Sequence, residues 1–277
     1  MTQRHHHILK NDPKHWLKLL PKLTTDSNKY TRGHTMIIGG YPLTGASRLS
    51  AYAAARMGSG LTTLLVPEVA FAIYASALTS IMVKPFGDIE TFNHSINGKR
   101  ITSFLIGPGA GVSDDTRSQS LKLLDTNCPV VLDADALTAF QGKLSLLSSY
   151  LHANCVLTPH EGEFKRLFSL TDDRALSAQQ AAKVCGAIVV LKGSETVVTA
   201  PNGQTMVNNN APPTLATGGA GDVLAGMIAG LIAQGMPAFE AASAAVWIHG
   251  EAAKLFGHGL IAEDLPHLLP KVLKTLQ

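Results

Sequence analysis

The chain is built from short apolar runs that do not alternate with polar residues. Each run ends in small or chemically capable residues, and most are followed by a helical pattern, often alanine-rich. The first is HTMIIGGY, followed by TGASRLSAYAAARMGSG; then come LTTLLVPE, SFLIGPGAG, PVVLDADAL, CVLTPHEGEF and AIVVLKGS. Apolar runs of roughly four to six residues without alternation describe strands buried on both faces. Their alternation with helices predicts an α/β fold in three layers, a central, mainly parallel sheet with helices on both faces. A parallel sheet aligns the C-terminal ends of its strands along one edge, where open α/β sheets bind ligands. On that edge the runs place Gly39-Gly40, Pro67-Glu68, Gly107-Pro108-Gly109, Asp133-Ala134-Asp135, Thr158-Pro159-His160-Glu161 and Lys192-Gly193. A binding cleft follows from the pattern before any motif is interpreted.

After Lys192 the pattern changes. TVVTAP and QTMVNN flank Asn202-Gly203, a two-residue hairpin signal that predicts a few antiparallel strands at one edge of the sheet. From Gly221 onward the reading is helical, over 222–234, 238–256 and a last segment within 262–276. Pro266 and Pro270 divide that last segment into two pieces or delay its start. Near the beginning, a leading helix is expected around Trp16–Leu20, between Pro13 and Pro21.

Composition narrows the class. With 277 residues, 45% hydrophobic and 16% charged, the chain suits one sizeable domain with an ample core. A net charge of +3 without clustered basic residues argues against a nucleic-acid partner. The N-terminus lacks the apolar core of a signal peptide. The longest apolar stretch, 223–239, contains Gln234, Pro237 and several glycines, so it reads as a buried helix and no membrane partner is expected. Cys128, Cys155 and Cys185 form no CxxC pair and read as reduced thiols of a cytoplasmic protein. His5, His6 and His7 read as a polar terminus rather than a metal tract.

The strongest single motif is Thr217-Gly218-Gly219-Ala220-Gly221-Asp222, which opens a helix. Small residues admit close backbone approach, and the free N–H groups of the first turn form an anion site. Asp222 there serves equally as an N-cap or as a base facing a bound phosphate. The motif is neither a Walker A loop nor a GxGxxG fingerprint. Gly107–Gly111 forms a second glycine loop. Asp133 and Asp135 suit either Mg²⁺ held through waters or capping of the next helix. His160, with Glu161 and Glu163 beside it, reads as a ligand hydrogen-bond donor rather than a metal ligand. Lys192, ending a buried strand, calls for an anionic partner. Trp247 and His249 read as core or groove residues.

Taken together, GGYPLTGASRLSAYAAARMGSGLTTL, LIGPGAG, VVLDADAL, LTPHEGEF, VVLKGSETVV and TGGAGDVLAGMIAGLIAQG resemble, in order and register, the ADP/ATP-dependent NAD(P)H-hydrate dehydratases of the ribokinase-like superfamily. The resemblance covers roughly residues 28–256. It implies a metabolite-repair lyase that restores NADH or NADPH from the hydrated forms NADHX and NADPHX, using ADP or ATP with Mg²⁺. It further implies that Ala46, Gly109, His160 and Asp222 contact the hydrate. Lys192, Gly193, Ser194, Glu195, Thr196 and Gly221 would hold the nucleotide. Gly219, Ala220 and Gly221 would form the anion hole, and Asp222 would act as the catalytic base. Ala220 replaces a threonine common in the family, Glu161 stands where proline is common, and Ser47 where proline often follows the alanine.

On this resemblance the whole chain, 1–277, is one dehydratase domain, with 1–27 as an extension. Only Tyr41 to Thr44 separate the first strand from its helix, so no lid domain of the sugar-kinase kind is expected. The chain begins about where the dehydratase begins, so the epimerase that interconverts hydrate epimers would be a separate protein. A homo-oligomer, a tetramer among the options, would help close a site without a lid. Two alternatives stay open at this stage: a ribokinase-like kinase of a vitamin precursor, and a non-catalytic nucleotide sensor.

Overall fold

The computed structural model describes residues 8–97 and 100–277, so the His5–His7 tract lies outside the described residues. Its strands are β1 (Ile8–Lys10), β2 (His34–Ile38), β3 (Leu61–Pro67), β4 (Met82–Phe86), β5 (Ser103–Ile106), β6 (Val130–Leu132), β7 (Val156–Leu157), β8 (Ile188–Leu191), β9 (Thr196–Thr199) and β10 (Thr205–Asn208). They form one ten-stranded sheet in the order β1-β10-β9-β8-β7-β6-β5-β2-β3-β4. Only β9 runs antiparallel to its neighbours, β8 and β10; all other pairings are parallel.

The helices are α1 (Gly45–Arg56), α2 (Phe71–Ala77), α3 (Ile89–Ile96), α4 (Asp114–Leu124), α5 (Ala134–Thr138), α6 (Leu144–Ser148), α7 (Glu161–Leu167), α8 (Arg174–Cys185), α9 (Ala220–Ala233), α10 (Ala238–Phe256) and α11 (Asp264–Thr275). The period-two geometry of a strand divides the core into two layers. Ile37, Leu64, Leu105, Val131 and Val190 pack with α1, α2 and α9–α11 on one face. Met36, Leu65, Phe104, Val130 and Val189 pack with α3–α8 on the other. Both faces are covered, which is why these strands read as unbroken apolar runs.

The tightest helix contact is between α1 and α9. A Cβ at Gly226 would overlap the Ser50 carbonyl, and one at Gly230 would stand 2.6 Å from the Ala54 carbonyl oxygen. Glycines one helical turn apart let the two backbones touch, and this brings the start of α1 beside the start of α9. Among the described residues no strand is inserted between β2 and α1, as expected for a fold without a lid.

Three expectations are corrected. The segment around Trp16–Leu20 is not an α-helix but two short 3₁₀ turns, Pro13–His15 and Leu17–Leu19, preceded by strand β1. Trp16 is drawn into the core, where its Nε1 donates to Asn11 Oδ1 at 3.0 Å and its ring meets Trp247 edge-on at 5.8 Å. The hairpin at Asn202-Gly203 has a three-residue loop: Ala200 pairs with Gln204, Gly203 N–H donates to the Ala200 carbonyl, and Gly203 has φ 89°. This is a type I turn closed by a glycine in the left-handed region. The C-terminal segment is one helix, α11, with Pro266 in its first turn, where no N–H is needed, and Pro270 exposed on its outer side. The apolar stretch from Val223 is α9, a helix buried on nearly every side, and no helix is long and apolar enough to cross a membrane.

Candidate functional site

The parallel register brings the strand ends to one edge: Ile106 is level with Leu132, Leu132 with Leu157, and Leu157 with Val189. Immediately beyond stand Asp133, Thr158, His160 and Lys192, the last two paired as an isolated bridge. Lys192 Nζ lies 2.8 Å from Asp133 Oδ1 and 3.9 Å from Glu163 Oε2. Asp133, 1% exposed, also accepts a 2.7 Å hydrogen bond from Thr158 Oγ1. Burial works against the Lys192 charge, but Asp133 and Glu163 outweigh it and hold the ammonium above its usual range. This is the anionic partner that a lysine at a buried strand end requires.

The glycine turn meets this pair. Gly219, at φ 90°, precedes α9, and the Gly221 and Asp222 N–H groups of its first turn have no acceptor within the helix. Ala220 N–H reaches back to the Thr217 carbonyl at 3.4 Å. A Cβ on Gly221 would lie 3.3 Å from Lys192 Nζ, so the ammonium and the helix start face the same space. Asp222 is the third residue of α9 and makes no capping bond, which removes the N-cap reading. Burial first, then repulsion from Asp133, pushes its carboxyl up to about 7 against the opposing pull of Lys192; Asp135 and Glu163 add to the rise. A carboxylate that takes a proton near neutrality is suited to act as a base.

The other predicted residues divide between two groups. A cleft of about 600 Å³ is lined at this end by His160, Lys192, Gly193, Ser194, Thr196 and Gly221. Ala46 and Gly109 form the second group. A Cβ on Gly109, at φ 69°, would stand 3.5 Å from the Ala46 Cβ, and a Cβ on Gly40 would overlap the Gly109 carbonyl. Ser47 Oγ and Tyr74 OH share a 2.7 Å hydrogen bond, and Tyr74 OH donates to the Gly40 carbonyl at 2.8 Å. Ser50 joins the groups, its hydroxyl donating to the Asp222 carbonyl. Glu195 is exposed and does not line the cleft.

Three local contacts come from the fold. Neither Asp133 nor Asp135 caps α5; Asp135 Oδ2 instead accepts from Gly111 N–H at 2.8 Å. His160 caps α7, its Nδ1 accepting from Gly162 and Glu163 N–H while Glu163 returns a bond to the His160 N–H. Glu161 points away, into a surface pairing with Lys165 and Arg174. The rest of the cleft lining, with Ala211, Pro212, Leu215, Leu224, Val246 and His249, carries no sequence signal apart from His249 and the Pro212-Pro213 pair, a stiff segment leading out of β10.

Mg²⁺ fits the residues present in a limited way. Among the described residues no three His, Cys, Asp or Glu side chains form a metal cage. Asp133, Glu163 and Asp222 nevertheless gather around the Lys192 ammonium, and Asp135 lies near enough to act on Asp222. Such an excess of carboxylate suits a hydrated divalent ion that takes its other ligands from phosphate oxygens.

The comparisons agree with this arrangement. The NAD(P)H-hydrate dehydratase family profile matches residues 35–275. The bifunctional NAD(P)H-hydrate repair enzyme Nnr of Salinibacter ruber is 38% identical over 272 residues, covering 91% of this chain and 50% of that protein. The chain thus spans about half the length of the first curated relatives it matches. The ADP-dependent (S)-NAD(P)H-hydrate dehydratase of Cenarchaeum symbiosum is 33% identical over 275 residues, covering 93% of this chain and 94% of that one. The crystal structure of the ADP/ATP-dependent NAD(P)H-hydrate dehydratase from Bacillus subtilis, co-crystallized with ATP/Mg²⁺, superposes with a TM-score of 0.83 at 27% identity, covering 98% and 99% of the two chains. With its glycine turn, its strand-end lysine and this profile match over most of its length, the chain belongs to the NAD(P)H-hydrate dehydratase family.

Proposed function

We propose that this protein is a metabolite-repair lyase that converts the S form of NADHX or NADPHX to NADH or NADPH at the expense of ADP or ATP. The observation that carries the reading is Asp222, a half-buried carboxylate in the first turn of α9, across from the Lys192 ammonium and pushed up to about 7.

The hydrate bears a hydroxyl on the ring carbon next to nitrogen, and hydroxide leaves poorly. Asp222 accepts the hydroxyl proton as the oxygen attacks the terminal phosphorus of the nucleotide. The bond from that phosphorus to the rest of the nucleotide breaks, releasing ADP from ATP or AMP from ADP. The ring nitrogen then expels inorganic phosphate, and loss of a proton from the neighbouring carbon completes the dihydronicotinamide. The free N–H groups of Gly221 and Asp222 stabilise the transferring phosphoryl group, and Lys192 neutralises charge beside it. Asp133 and Asp135 would hold Mg²⁺ through waters; when bound, the ion would supply charge neutralisation on the phosphate oxygens. Ala46, Gly109 and His160 contact the hydrate, while Lys192, Gly193, Ser194, Thr196 and Gly221 hold the nucleotide.

Free Cys128, Cys155 and Cys185 support a reducing, cytoplasmic setting. A hydrate epimerase is the functional partner, because damage yields both epimers and this reading uses one. Homo-oligomerisation would shield the lidless site. The test is direct: protein, NADHX, Mg²⁺ and either ADP or ATP are mixed, and the return of dihydronicotinamide absorbance is followed. Recovery that requires nucleotide sustains the reading. Nucleotide consumed only with a vitamin-precursor alcohol, or no turnover at all, ends it.

A further inference from the structure

The cleft is lined by two chemically different sets of residues. One is the start of α9 with Lys192; the other is apolar and includes Pro212, Leu215, Leu224 and Val246. An apolar slot continuous with an anion site has the form of a nucleotide site, with phosphates at the helix start and the nucleoside in the slot.

Asn208 and His249 also line this cleft. The Asn208 carboxamide is already used within the protein, donating to Asn210 Oδ1 at 2.6 Å and accepting from Asn11 Nδ2 at 3.1 Å. His249 is different. It is 7% exposed, and its Nε2 has no hydrogen-bond partner among the described residues. The Ala220 carbonyl lies beside the ring, but no acidic side chain acts on it. A buried ring nitrogen left without a partner is uncommon in a folded protein and marks a place where something else completes the bonding. Burial, helped by the nearby charge of Lys192, lowers the imidazole to about 4 against the hydrogen bond to the Ala220 carbonyl, so the ring is neutral. With its N–H given to that carbonyl, Nε2 is left as an acceptor for a ligand hydroxyl or amino group. A neutral imidazole among Leu224 and Val246 suits the polar edge of a nucleoside better than a phosphate.

We propose that His249 hydrogen-bonds the nucleoside portion of the ADP or ATP that occupies this cleft, as a binding residue in addition to the phosphate-holding turn. The inference rests on the nucleotide-dependent reading above. It is tested by measuring dissociation constants for ADP and for inorganic pyrophosphate, which lacks the nucleoside, in the wild type, His249→Phe and His249→Gln. Loss of one buried hydrogen bond predicts ADP binding about tenfold weaker in His249→Phe, with pyrophosphate within twofold and much of the ADP loss restored by His249→Gln. Unchanged ADP binding in His249→Phe, or equal weakening of both ligands, overturns the assignment. If His249→Phe does not fold, His249→Ala gives the same comparison under the same criteria. A wild type that binds no ADP removes the nucleotide-dependent reading and this inference together. A wild type that binds ADP while the variants bind it equally well removes only the role of His249.

Discussion

Ser50 Oγ donates a 2.8 Å hydrogen bond to the main-chain carbonyl of Asp222 and lies 3.2 Å from the carbonyl of Ala46. One hydroxyl on α1 therefore touches the backbone of two of the proposed hydrate-contacting residues, Ala46 and Asp222. It can do so because Gly226 lets α9 lie directly against the Ser50 main chain. Gly226→Ala puts a methyl group into the Ser50 carbonyl and forces the helices apart. Overpacking of this kind costs about 1–3 kcal/mol. The expected outcome is a lower thermal midpoint together with a raised KM for NADHX, read from melting curves and steady-state kinetics.

Asp222→Asn keeps the side-chain shape and removes the base. Turnover should fall by about 10²–10⁴, while ADP affinity stays within a few-fold. In the wild type, kcat/KM should rise with pH through about 7, where the carboxyl ionises. The variant should lose that limb. A pH–rate profile of the two proteins checks both points.

The same carboxyl bears on stability. Its pKa rises from 3.8 to about 7 on folding, so the folded protein holds this proton more tightly than the unfolded chain does. The stabilisation linked to it is complete below 3.8 and is lost as the pH rises through about 7. Asp222→Asn should therefore be more stable than the wild type at pH 8 and nearly equal to it at acid pH. The shift corresponds to roughly 4 kcal/mol at most, and solvent reaching the group brings the expected gain down to about 1–3 kcal/mol. Urea denaturation across pH 4–8 measures the gap.

Asp133→Asn removes the carboxylate that Lys192 and Thr158 both use. Breaking a buried ion pair from one side typically costs about 3–5 kcal/mol; Glu163 and Asp222 remain near the ammonium, so a loss of about 2–3 kcal/mol is expected. It also removes a charge that raises Asp222, so the acid limb of the rate profile should move to lower pH. Lys192→Met should move the limb the other way. Opposite shifts in the two variants, read from pH–rate profiles, are the expected signature.

Sequence patterning was most legible where strands are buried on both faces. SFLI, PVVL and AIVVL announce themselves because every residue of those strands meets a helix layer. Strand β4 was not read, and the reason is local: MVKPF sits at the sheet edge, largely exposed, with Lys84 and Pro85 breaking any apolar run. Strand β1 was missed for a related reason, being three residues long with partners near residue 205. In the site, the glycine turn and Lys192 could be found from their positions after strands. The role of Asp133 could not, since capping is a local property and its true partners, Thr158 and Lys192, are 25 and 59 positions away. Ser47 illustrates the same limit. Its departure from proline was visible, but its hydrogen bond to Tyr74 needed the fold.

The pairing of β1 with β10 has a consequence for how the molecule is made. Ile8 lies against Thr205, and Asn11 reaches both Asn208 and the Ser243 carbonyl. During synthesis β1 must leave the ribosome and wait, without this partner, until the segment at residue 205 has followed it. β1 thus docks only after β10 exists, and such long-range closure is slow compared with local helix formation.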